Sequence, residues 1–226
     1  MALILQIETS TELCSVAISQ DGVCVSQSSS AIPNSHTEML TIMIQQCLDQ
    51  SSISFKQLDA VALSSGPGSY TSLRVGASTV KGICFAMNLP LITIDSLKIL
   101  AHGINVDQLG ADDVIIPMID ARRMEVYATV FNKSLQPIQP IEAVILDDHS
   151  YKEYPSKVHI CGSGAKKFID AFEHSNLILH HEYTSAKFMT LPSTEAYANR
   201  QFSDVAYFSP EYIKAPNIVK SKKKYF

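Results

Sequence analysis

Residues 58–76 read LDAVALSSGPGSYTSLRVG, and this stretch decides the architecture. Leu58 to Leu63 is an apolar run that passes into small residues, as a buried strand does, before Gly66-Pro67-Gly68 forces a sharp turn. Ser69 or Thr71 can cap a helix that follows at once. A strand, a tight loop and a helix in this order aim backbone N–H groups and the positive end of a helix at one point, an arrangement that ordinarily receives phosphate.

Downstream, a helix over about 71–88 sets Leu73, Ala77, Val80, Cys84 and Met87 on one stripe and the small residues Ser78, Gly82 and Ala86 on another. Interior glycines cost roughly 1 kcal/mol each against alanine, so Gly76 and Gly82 predict something packed very close to this helix. Leu89 to Ile94 reads as a further strand, and Ser96 as the cap of a short helix reaching Leu100 to His102.

Upstream, residues 3–30 read as a β-meander: Leu3 to Ile7, Cys14 to Ser19 and Val23 to Ser28, with Asp21-Gly22 as a hairpin signal. Ser35-His36-Thr37-Glu38 has the form of a capping box. Met39, Leu40, Met43, Ile44, Cys47 and Leu48 then recur at helical spacing and predict a helix over about 36–50.

The second half repeats the outline. Ile115 to Asp120, a turn at Ala121-Arg122-Arg123, and Glu125 to Phe131 mirror the opening hairpin, with Asp120 falling where Glu8 falls. Val158 to Cys161 runs into Gly162-Ser163-Gly164-Ala165 and a helix from near Lys166, echoing the first strand-loop-helix. Two similar lobes, 1–103 and 104–226, are expected, joined near residues 100–112 and with the last helix or tail packing back on the first.

Composition narrows the function. The chain has 226 residues, 46% hydrophobic and 18% charged, with a formal charge of −4, so no global basic field draws it to nucleic acid. Five widely spaced cysteines without a Cys-x-x-Cys pair read as reduced core residues. No basic leader or membrane-length apolar run is seen, so a cytoplasmic protein is expected.

Duplicated lobes of this kind are the layout of the actin, hexokinase and Hsp70 superfamily, and within it the sequence resembles the TsaB (YeaZ) family. The resemblance is carried by Ile7-Glu8-Thr9-Ser10-Thr11, His36-Thr37-Glu38 and Gly66-Pro67-Gly68-Ser69-Tyr70-Thr71 with Leu73-Arg74-Val75-Gly76. It continues through Asp120-Ala121-Arg122-Arg123-Met124-Glu125-Val126-Tyr127 and Pro210-Glu211-Tyr212-Ile213-Lys214. It implies an α/β chain of two actin-like (ASKHA, ribonuclease H-like) lobes, each a mixed β-sheet with flanking helices. The family usually has Asp at Glu8 and Gly at Ser72 and Met124, so this chain departs at three places.

An active phosphate hairpin of that superfamily carries Asp-x-Gly-Thr, because glycine lets backbone approach phosphate closely. Here the matching turns are Glu8-Thr9-Ser10-Thr11 and Asp120-Ala121-Arg122, and only Gly162-Ser163-Gly164 keeps its glycines. Glu8, Thr9, Ser10, Thr11, Asp120, Gly162 and Gly164 are therefore expected to be vestigial nucleotide loops without independent ATP hydrolysis. No catalytic residue and no metal site are assigned. The His-x-x-x-His pair of the catalytic relative TsaD is replaced by Ser96 and Leu100, and His180 and His181, being adjacent, point apart.

The resemblance implies a non-catalytic subunit that binds and stabilises TsaD together with TsaE in forming tRNA threonylcarbamoyladenosine. It implies a homodimer when the chain is alone, tRNA contact only through the complex, and no tightly bound cofactor, ATP or ADP being used by the complex near its interface. His36, Met39, Leu40, Met43, Cys47, Leu73, Arg74, Gly76, Ala77 and Val80 are expected at the TsaD interface. Lys220, Lys222, Lys223 and Lys224 read as a solvated basic tail, with tRNA phosphate as the other reading. The rival functions are an ATP-dependent small-molecule kinase, which needs intact phosphate loops, and a glycopeptidase, which needs a metal or an activated nucleophile.

Overall fold

The computed structural model describes residues 2–30 and 32–214. The basic tail named above lies outside the described residues.

Strands β1 (Leu3–Glu8), β2 (Ser15–Gln20) and β3 (Val23–Ser29) form the expected meander, and Asp21 and Gly22 take the positive φ angles of its turn. Helix α1 (His36–Ser51), strand β4 (Ala60–Gly66), helix α2 (Tyr70–Met87), strand β5 (Leu91–Asp95) and helix α3 (Ser96–Ala101) follow. The sheet order is β3-β2-β1-β4-β5, antiparallel through the meander and parallel from β1 to β5. Alternate side chains of each strand serve opposite faces. Leu5, Ile7, Val16, Val61 and Leu63 meet Leu40, Met43, Cys47, Val80 and Cys84 of the two long helices. Ile4, Ala60, Ala62 and Ile92 face the other way.

The second sheet is built from β6 (Val114–Asp120), β7 (Glu125–Ala128), β8 (Phe131–Asn132), β9 (Glu142–Ile145), β10 (Val158–Cys161) and β11 (Leu177–Leu179), with α4 (Ala165–Ala171) after β10. Its order, β9-β7-β6-β10-β11, and its strand directions reproduce the first sheet position by position, so the duplication read from the pattern is a duplication of topology. The strand expected over Glu125 to Phe131 is interrupted at Thr129-Val130, and its second piece, β8, pairs with the start of β6.

Helix α3 is shared. Ile99 packs on the rear of the first sheet, while Leu97, Leu100 and Ala101 pack on Ile115, Ile119 and Cys161 of the second. Helix α5 (Thr190–Ala198) and the 3-10 turn before it return to the first sheet, where Met189 and Ala196 complete the rear core with Ile4 and Ile92.

Two caps differ from expectation. Ser35 does not cap α1, because its hydroxyl donates to Ile32 O at 2.7 Å and pairs with Ser30 Oγ at 2.7 Å, which leaves the capping box unformed. Asp95, rather than Ser96, caps α3, its carboxylate accepting from Leu97 N at 2.5 Å and Lys98 N at 3.2 Å. A carboxylate one residue earlier reaches both N–H groups and competes better than a hydroxyl. Ser69 caps α2 as expected, accepting from Ser72 N at 3.5 Å. All five cysteines are free.

Candidate functional site

A cleft of about 950 Å³ separates the two sheets, lined by Ser10, Thr11, Pro67, Gly68, Asp120, Arg122, Ser163 and Tyr212 among others. The topology brings all the loops singled out in the sequence to this place, because the loops leaving β1, β4, β6 and β10 share one end of their sheets. Several of their backbone N–H groups bond within the protein.

Glu8 ends β1 with its side chain fully buried, and its Oε1 accepts from Ser10 N at 2.6 Å. Thr9 N donates to Ser64 Oγ at 3.1 Å, and Ser69 N donates to Ser10 O at 2.7 Å. A Cβ at Gly68 would run into the Ser10 carbonyl. The Gly66-Pro67-Gly68 block thus clamps the neighbouring hairpin at van der Waals distance, and the N–H groups that a phosphate would need at Thr9, Ser10 and Ser69 point into the protein. The second lobe repeats the device: Asp120 Oδ1 accepts from Arg122 N at 2.6 Å, Gly164 N donates to Met118 O at 2.9 Å, and a Cβ at Gly162 would strike that same carbonyl. Arg122 and Arg123 hold φ angles of 70° and 52°, in the left-handed region that favours glycine.

Burial raises the Glu8 carboxyl to about 7, against hydrogen bonds from Ser10, Ser64 and Thr184 that favour its ionised form. Thr11 Oγ1 lies 3.1 Å from Thr184 Oγ1, so the hairpin is also tied to the chain between β11 and α5. Lys167 gathers Asp120 Oδ1 at 2.8 Å and the carbonyls of Arg123 and Glu125 at 2.9 and 2.6 Å.

The expected interface residues divide. Leu40, Met43, Cys47, Leu73, Ala77 and Val80 are buried, most of them in the core between the helices and the first sheet. The stripe that gives α1 and α2 their periodicity is the stripe that packs them on their own sheet, although Leu40 also lines the groove between the two helices. Gly76 is also internal, and its close neighbour is Thr9 with Leu63, the tight approach its sequence position predicted. His36 is buried against the Thr11 backbone, and burial holds its imidazole below the ordinary value. Met39 is half-buried and Arg74 is exposed.

The outward faces carry different residues. Phe85 is 87% exposed and Ile42 is 49% exposed, on α2 and α1 respectively. A Cβ at Gly82 would meet nothing within 4 Å, so this second helical glycine faces open space. Between the helices a groove of about 510 Å³ is lined by His36, Leu40 and Arg74 of the expected interface set and by Thr37, Thr41 and Tyr70 among others. Sequence reading passed over Ile42 and Phe85. The signal was available, since both are apolar and fall off the core stripe by helical phase.

Among the histidines, the fold gives His159 two partners: its Nδ1 lies 2.8 Å from His180 Nε2 and its Nε2 lies 3.1 Å from Asp113 Oδ2. His181 turns the other way, onto Leu100 O at 3.1 Å. Among the described residues no group of three or more His, Cys, Asp or Glu side chains is placed to hold a metal ion, and no helix is long and apolar enough to cross a membrane.

Two sheets of identical order, a cleft between their loop ends and a shared central helix define a two-lobed α/β protein of the actin-like, ribonuclease H-like class. Residues 23–223 match the family model described as TsaD, tRNA N6-adenosine threonylcarbamoyltransferase. The chain is 31% identical to the tRNA threonylcarbamoyladenosine biosynthesis protein TsaB of Escherichia coli, over 78% of each chain. It is 37% identical to the Haemophilus influenzae protein of the same name, over 55% of this chain and about half (51%) of that one. YeaZ from Pseudomonas aeruginosa has the same fold, with a TM-score of 0.77, 24% identity, and coverage of 94% of this chain and all of that chain (100%). The chain belongs to the TsaB family.

Proposed function

We propose that this chain is a non-catalytic subunit of the cytoplasmic machinery that makes tRNA threonylcarbamoyladenosine, and that it acts by binding and stabilising TsaD, with TsaE as a further partner. The supporting observation is the internal use of the cleft's own donors. With Ser10, Ser69 and Arg122 amides bonded to Glu8, Ser10 and Asp120, the hairpins have nothing preorganised to offer a triphosphate. Any nucleotide used by the assembly is then held chiefly by the partners.

Binding work falls to the outer faces of α1 and α2. Burying Ile42, Phe85, Arg74 and the groove between the helices against one conformation of TsaD favours that conformation by population shift. The same apolar face supports a homodimer when TsaD is absent. Of the sequence-derived set, His36, Leu40 and Arg74 line that groove, and half-buried Met39 lies on the same helix as His36 and Leu40.

The reading is tested with the purified chain and TsaD from the same cell. A stable complex by gel filtration, TsaD-dependent modification of tRNA that needs this chain, and no metal-dependent ATP turnover by the chain alone are the expected results. Robust turnover by the isolated chain that is lost in Glu8→Ala or Asp120→Ala would instead support the kinase reading.

A further inference from the structure

Residues 203–214 run from the edge of the first sheet to the cleft, whose lining includes Tyr212 and Lys214. Ser203 bridges to Leu91 at the edge of the first sheet, its N donating to Leu91 O at 2.8 Å and its hydroxyl pairing with Thr93 Oγ1 at 2.7 Å. The segment then runs down the flank of α2, where Lys81 Nζ donates to Ala206 O at 3.0 Å and Val205 and Phe208 pack against the core beneath. Glu211 N donates to Ser65 O at 2.7 Å, and its own carbonyl closes over Gly66. Tyr212 stacks on Tyr70 with ring centroids 4.7 Å apart and accepts from Arg74 Nε at 3.4 Å. Lys214 finally forms an ion pair with Glu125, on the second sheet.

Tyr70 and Arg74 have two duties here. They hold Tyr212, and they also line the groove between α1 and α2. The Arg74 guanidinium sits 4.0 Å from the centre of the Tyr70 ring, so a ligand in the groove that draws it away competes with its contacts to Tyr70 and Tyr212. Release of Tyr212 removes the anchor two residues before Lys214, whose contact with Glu125 is the strap's hold on the far wall of the cleft.

We propose that residues 203–214 are a strap that couples the head of the α1–α2 groove to the interlobe cleft, so that occupation of the groove and loosening of the second lobe's hairpin are one equilibrium. Rigid elements carry the coupling at both ends: α2 on one side, and β7 with its turn on the other. The proposal concerns the chain by itself and does not depend on which partner occupies the groove.

Hydrogen–deuterium exchange on the full chain tests it from both ends. Tyr212→Ala and Arg74→Ala, made separately, are expected to speed exchange of amides in 120–127 roughly tenfold, although neither residue lies in that segment. Lys214→Ala is expected to speed exchange in 66–74, the reverse direction. Protection of the strand amides of β1, β4, β6 and β10 shows that each variant remains folded, and Tyr212→Phe, which removes only the hydroxyl, serves if Tyr212→Ala does not. Changes confined to 203–214 and the substituted residue's own segment in these variants overturn the coupling.

Discussion

Glu8 and Asp120 occupy the same position in the two sheets, each ending the central strand and each accepting the amide two residues onward at 2.6 Å, from Ser10 and Arg122. They differ in burial: Glu8 is sealed from solvent, and Asp120 is exposed. Equal geometry in unequal surroundings gives the two carboxylates different consequences for stability.

Glu8 stands at about 7 in the folded chain, above its unfolded value near 4.5, so folding takes up a proton between those limits. Its contribution to stability is complete below pH 4.5 and is lost as the pH rises through 7. Glu8→Gln keeps the acceptor for Ser10 N and carries no charge to bury. Its advantage over the parent is expected to be near zero at pH 4.5 and to grow to the order of 3 kcal/mol by pH 8.5. Urea unfolding of both proteins across that range measures it, and a difference independent of pH would contradict the assignment.

The two helical glycines should respond oppositely. Gly76→Ala drives a Cβ into Thr9 and Leu63 and is expected to cost about 1–3 kcal/mol. Gly82→Ala meets open space and should stabilise the lone chain by roughly 1 kcal/mol, the helix-propensity difference. Thermal melts of the pair decide between this and a helix in which both glycines are packed.

Partner binding should separate from folding at the outer faces only. Phe85→Ala, at an exposed position, is expected to leave the melting temperature within the scatter of surface substitutions and to weaken the TsaD complex by at least tenfold. Met43→Glu buries a charge in the core and should unfold the chain instead. Calorimetric titration with TsaD, beside a melt of each variant, distinguishes a contact residue from a core one. An unchanged affinity in Phe85→Ala removes α2's outer face from the interface.

His159→Ala strips the partner from Asp113 and from His180 and is expected to destabilise the chain by about 3 kcal/mol at neutral pH, as removal of one member of a buried hydrogen-bonded pair does. Urea unfolding tests this too. A loss below 1 kcal/mol would mean that the chain of Asp113, His159 and His180 contributes little to the second sheet.

The fold was legible because its determinants are local and repeated. Asp21-Gly22 fixes one hairpin, the period of Leu40 to Leu48 fixes one helix, and the block at Gly66 fixes the strand-loop-helix around it. The short strands β9 and β11 escaped, since so few residues of mixed burial carry little pattern, and α5 was foreseen only as a last helix without bounds, because Pro192 argues against a helix until it is seen to lie in the first turn. The loops of the cleft were also placed correctly in the chain, whereas their closure was not readable: the bond from Ser69 N to Ser10 O joins segments that sequence spacing does not connect. The residues expected at the interface show a related effect. Periodicity marks the face of a helix that is covered, and Leu40, Met43 and Val80 are covered by the chain's own sheet.

Arg122 adopts the left-handed backbone at the place where an Asp-x-Gly loop would carry its glycine. A long cation thus stands at a turn whose contour suits glycine. Holding it there costs about 1 kcal/mol that glycine would not incur, and Arg122→Gly would relax the backbone without redrawing the hairpin. Since Arg122 also lines the cleft, the strained turn sets a positive charge at the wall between the lobes.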